Sequence, residues 1–156
     1  MSYLNDALAR LVAMEKEAKA GSDAYPYSIH WQENFPYWTN AIELFEPGEY
    51  MGDDNSQRIY IANLRYYRGY MTEGSYGEIE AAIYTDLPTL QEWFEEHPGL
   101  QSATYTTALT DLDPLETRLV SSPVLVNMGK SSATGNDIAG TVFRLQLVFN
   151  LSINPK

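Results

Sequence analysis

The chain has no cysteine. Disulfides, thiolate nucleophiles and cysteine-based zinc sites are therefore excluded. Positive charge is scarce as well: Lys and Arg number 10 against 21 Asp and Glu, for a formal net charge of −11. A nucleic-acid-binding face needs clustered cations that release counterions from phosphates. This chain is expected to repel nucleic acid, and an anionic membrane surface with it. No apolar run approaches the roughly 18 residues that a membrane-spanning helix needs. The opening "MSYLNDALARL" lacks the basic start and solid apolar block of a secretory leader. Histidine occurs only at His30 and His97. Neither comes with the partners that a triad or a metal site requires, and His97 at a helix end suits the helix dipole.

The charges that are present are segregated. Gly21 to Gln57 and Gly69 to Thr117 contain acids but no Lys or Arg. Basic residues gather instead at Arg58, Arg65 and Arg68, and later at Arg118, Lys130 and Arg144.

Three short motifs fail on inspection. "GKSS" at Gly129–Ser132 lacks the upstream glycine of a phosphate loop, with Val124 in its place. "GDDNS" at Gly52–Ser56 lacks the register of a calcium loop and reads as a solvated turn. "NLS" at Asn150 matches the glycosylation pattern by chance. Carboxylates are so abundant that a glycosidase-like pair carries no information. The rings in "AYPYSIHWQENFPYW" could stack sugars, but they are read first as buried anchors or subunit contacts. The chain is expected not to be an enzyme and to hold no cofactor or metal.

Periodicity supplies the fold. Leu4, Ala7, Leu8, Leu11, Met14 and Ala18 predict a helix over 3–20, capped by Ser2 and ended by Gly21. "YWTNAIELFE" and "QRIYIANLRYYRGYM" read as two antiparallel strands around the turn "PGEYMGDDNS". Ile79, Ile83, Leu87, Leu90 and Phe94 form one helical stripe. Pro88 predicts a break near residue 85, with Thr85 or Asp86 as cap, and "HPGL" closes the helix. A short strand is possible at "ATYTTAL", and "TRLVSSPVLVNM" reads as a third main strand. "GKSSATGNDIAG" reads as a loop of about a dozen residues. Near the end comes "GTVFRLQLVFNLSI", where Phe143, Leu145, Leu147, Phe149, Leu151 and Ile153 alternate with a mostly polar set. The last two strands should pair antiparallel. Residues 1–156 are expected to form a single α+β domain: a mostly antiparallel sheet with an N-terminal and a central helix on one face.

This order of elements resembles the tail terminator proteins of long-tailed (siphovirus and myovirus) bacteriophages. The segments that carry the likeness are "LNDALARLVAM", "RIYIANLRYY", "LPTLQEWFEEHPGL" and "AGTVFRLQLVF". The resemblance implies a structural virion protein, assembled in the host cytoplasm, that forms a ring, usually a hexamer. The ring caps the tail tube and offers the head a docking surface. Its partners would be copies of itself, the tail tube protein and a head-completion or neck protein. Self-assembly is expected to involve Arg58, Arg65, Arg68, Glu92, Glu95, Glu96 and Arg144, with the long terminal strand continuing a sheet toward a neighbour. The docking loop would present Lys130, Ser131, Asn136 and Asp137. The alternatives are a head-completion or neck adaptor protein, and a non-viral aromatic-rich ligand-binding module.

Overall fold

The computed structural model describes residues 2–28, 34–45, 55–71, 76–131 and 134–152. His30, Trp31, nearly all of the acidic turn after Phe45, and Ile153 lie outside the described residues. The expected α+β architecture is present: two helices lie against one face of a six-stranded, mostly antiparallel sheet.

Helix α1 spans Tyr3–Ala18. The Ser2 hydroxyl accepts hydrogen bonds from the amides of Leu4 and Asn5, so two otherwise orphaned N–H groups are satisfied. Gly21 takes φ +87°, which lets the chain reverse sharply just past the helix. A two-residue strand β1 (Asp23–Ala24) follows and runs parallel to the start of β2 (Tyr37–Leu44). β2 pairs antiparallel with β3 (Asn55–Tyr70) from Tyr37 beside Tyr67 to Leu44 beside Tyr60.

Helix α2 runs unbroken over Tyr76–Glu95 with Pro88 inside it, so the break expected near residue 85 does not occur. An internal proline costs about 3 kcal/mol. Burial of Ile83, Leu90 and Phe94 on one stripe, at about 1.5–3 kcal/mol each, outweighs that. Pro88 itself is exposed. Asp86 does not cap a new helix; it points inward, as described below. Gly99, at φ +76° in the 3₁₀ turn Pro98–Leu100, ends the segment as expected.

The expected strand at "ATYTTAL" is absent: the chain there is irregular. "TRLVSSPVLVNM" forms two short strands rather than one, β4 (Arg118–Ser121) and β5 (Val126–Lys130), with Pro123 between them. Proline cannot donate to a ladder, so it divides the strand. The following loop is shorter than expected, because β5 extends to Lys130 and β6 begins at Asp137.

β6 (Asp137–Ser152) is the spine of the sheet. β3 lines one side of it, from Asn55 beside Ser152 to Tyr70 beside Ile138. The other side is lined in succession by Asp111–Asp113, β4 and β5. The terminal strand is therefore central, and the expectation that it extends the sheet toward a neighbour is overturned. Its regular alternation reflects this place. Phe143, Leu145, Leu147 and Phe149 are buried in the main core with Trp38, Leu64, Tyr66, Leu11 and Leu90. Gly140 is obligatory at the crossing with β3, since any Cβ there would strike the Tyr66 carbonyl oxygen.

A second, smaller cluster covers one end of the opposite face. Tyr37 and Tyr67 stack at 4.4 Å with Met128 and Ile138, and Tyr25, Phe35 and Tyr70 pack around them. The expectation that the aromatic segment anchors its own loop holds for these rings.

Candidate interaction surfaces

Three parts of the fold carry features beyond a plain core: two buried carboxylates under α1, the charged side chains expected to assemble, and the margins of the sheet.

Asp86 projects from α2 into the helix–sheet interface. Its oxygens accept from Tyr66 Oη at 2.7 Å, Arg68 Nε at 2.8 Å and Lys19 Nζ at 3.2 Å. Burial acts to raise its pKa, but the three donors together outweigh it and leave the carboxyl below its ordinary range. Burial and the same bond push the Tyr66 phenol well up. The cluster ties α1, α2 and β3 together. Glu15 of α1 is fully buried and meets a different environment. Its Oε1 accepts from Asn40 Nδ2 at 2.9 Å, while Oε2 has no partner among the described residues. Burial raises its pKa well above the ordinary value, and the Asn40 bond opposes this only in part.

The basic residues expected to act together are divided by the sheet. Strand alternation and the pairing with Phe149 put Arg58 on the helix-bearing face. Arg68 lies on that face too and is engaged by Asp86. Arg65 and Arg144 lie on the other face. Arg144 reaches Glu43 at 3.5 Å and Asn63 Oδ1 at 3.4 Å. Among the described residues Arg65 has no ion pair, and its Nε is buried without a hydrogen bond. Glu92, Glu95 and Glu96 are exposed together at the C-terminal end of α2, whose last turn has no basic residue. Negative charge there opposes the helix dipole, at about 0.3–1 kcal/mol for each acid. A cationic partner would relieve this.

The loop residues expected to dock are brought together, but they bond to one another. Lys130 pairs with Asp137 at 2.8 Å, which holds the Asp137 carboxyl below its usual range. Ser131 is buried and its amide donates to the Asn136 carbonyl at 2.8 Å. Among the described residues of the turn, Thr134 and Gly135 are exposed. His97 also has a structural role: its Nδ1 lies 2.7 Å from the Trp93 carbonyl and its ring stacks on Trp93. Among the described residues no group of His, Asp and Glu could hold a metal ion.

Sequence reasoning missed the margins. β1 covers only the first two residues of β2, so Asn40–Leu44 has no strand on its outer side among the described residues. Leu44 and Phe45 are exposed at this margin. At the other end of the sheet order, β4 carries exposed Val120, and exposed Leu115 and Val124 flank it. An open groove runs between α2 and β4, lined by Gln91, Glu95, Leu119, Val120, Ser121 and Ser122. The available signal was the segment "RLVSSPVLV", which Pro123 interrupts and which is too short on either side of it for a central strand.

No protein-family model and no curated protein matches the chain.

Proposed function

We propose that this chain is a structural virion protein of a long-tailed bacteriophage that assembles into a ring capping the tail tube. In this reading it provides the surface on which the head docks. The observation that carries the reading is the pair of dissimilar sheet margins, β2 with Leu44 and Phe45 at one end and β4 with Val120 at the other. Unlike patches at opposite ends favour head-to-tail contact between copies, and such contacts close into a ring when the rotation permits. Uncovered strand margins with apolar side chains are otherwise an aggregation hazard. The acidic end of α2 beside the β4 groove would meet positive charge from a neighbouring copy, the tube or the neck.

The glycan-binding alternative fares worse. Stacking needs exposed rings, yet among the described rings of the aromatic segment Tyr37 and Trp38 are buried and Tyr25 and Phe35 half-buried, which leaves Tyr27 alone exposed. A neck adaptor would share the margins but contact the portal instead of the tube.

Native mass spectrometry and negative-stain microscopy test the proposal. A closed ring, abolished by the double charge substitution Leu44→Glu with Phe45→Glu in a protein that still melts cooperatively, is the expected result. A wild type that remains monomeric at every concentration overturns it. Rings that bind a portal but not a tube favour the adaptor.

A further inference from the structure

The two buried polar atoms left without partners under α1 belong to one contact. Asn40 Nδ2 donates to Glu15 Oε1 at 2.9 Å and to the Tyr25 carbonyl at 3.0 Å. The Tyr25 carbonyl can only accept, so it fixes which end of the amide is nitrogen. Glu15 Oε2 and Asn40 Oδ1 are then both buried acceptors with no donor among the described residues. An ionised Glu15 would leave a charge and two bare acceptors in the interior, which is among the most costly arrangements a core can hold. One proton on Oε2 removes the charge and supplies the missing donor.

We propose that Glu15 is a neutral carboxylic acid in the folded protein and donates its proton to Asn40 Oδ1, closing a two-bond acid–amide ring that clamps α1 onto β2 and opens when the acid ionises. The inference is independent of the ring-forming reading, because it concerns the interior of one chain.

The surrounding charges do not offer Glu15 an alternative. Just past α1, Lys19 is committed to Asp86, and Lys16 of α1 is exposed. On β1, Asp23 is exposed. On β2, Glu43 alternates to the opposite face and meets Arg144. On β3, Tyr66 and Arg68 are held by Asp86, and the Tyr60 hydroxyl meets that of Tyr3. On α2, Asp86 is itself saturated by three donors. Tyr25 contributes only its carbonyl.

The proton makes folding sensitive to alkali. The folded state holds this proton more tightly than the unfolded chain. The stabilisation is complete below the unfolded carboxyl value and is lost as pH rises through the folded one. Between those limits the folding equilibrium constant attributable to Glu15 falls about tenfold per pH unit.

The test compares wild type with Glu15→Gln, whose amide can make both bonds with no proton to lose. Urea unfolding across the neutral range should show a fall in wild-type stability with pH that the variant lacks. Parallel profiles would overturn the proposal. Carbon NMR of labelled glutamate carboxyls in the wild type gives a second readout that needs no variant. One resonance at the position of the neutral acid at neutral pH, moving only on further alkalinisation, is expected. Finding every glutamate ionised at neutral pH overturns the clamp.

Discussion

Asp86 and Glu15 are both carboxylates taken out of water in the same helix–sheet interface, and their pKa values are pushed in opposite directions. Asp86 meets a phenol, a guanidinium and an ammonium, and its carboxyl is held below the ordinary range. Glu15 meets one amide, and its carboxyl is held well above it. Burial presses both toward the neutral form. The difference lies in the donors. Three of them, two cationic, outweigh the pull of burial at Asp86, and one neutral amide does not outweigh it at Glu15. Charge in this interior is thus set by what converges on each carboxyl rather than by depth.

The widest extension of that comparison is a carboxylate with no donor at all. Leu147→Asp would place one in the middle of the dry face of β6, and the chain should then fail to fold. A soluble protein that melts cooperatively, seen by circular dichroism, would contradict this. Next in size, Asp86→Ala strips the shared acceptor from three donors. It should cost about 3 kcal/mol in urea unfolding, below the upper figures for buried pairs because Lys19 and Arg68 keep some water. The same residue sets the acid limb. Its lowered carboxyl contributes stability that is complete above the unfolded value and lost as pH falls through the folded one. An Asp86→Asn variant should therefore show a flatter acid melt than wild type. Glu15→Gln should change the opposite limb, raising stability most at alkaline pH. Lys19→Met should have the smallest effect, under about 1 kcal/mol, since this ammonium is partly solvated. A larger loss would mean that the Asp86 cluster acts as a unit.

Neither carboxylate was recognised for what it is from the sequence. Asp86 sits in "TDLP", where a helix cap is the local reading, and only the packing of α2 against β3 turns it inward. Glu15 was partly legible. It follows Leu4, Leu8 and Leu11 by 11, 7 and 4 residues, which is the buried side of a 3.6-residue period. Its charge argued for solvent, and the Asn40 that receives it lies 25 residues away on β2. Pro88 misled in the same way, because proline cost is local and the burial that offsets it is not. The dispersal of Arg58, Arg65 and Arg68 over two faces follows from strand alternation, which sequence proximity hides.

The sequence by itself determined the N-terminal helix with its Ser2 cap, though not that it stops at Ala18 instead of residue 20, the alternating terminal strand, the α+β class and the acidic composition. Each of these rests on nearest-neighbour periodicity or composition, which needs no knowledge of what packs where. The tertiary structure alone decided that β6 is the spine rather than a margin, that among the described residues Asn40–Leu44 of β2 and the outer side of β4 carry no further strand, and which buried carboxyl is pushed up and which down. Those outcomes depend on donors, strands and apolar stripes that are far apart in the chain, and only folding sets them within a few ångströms of each other.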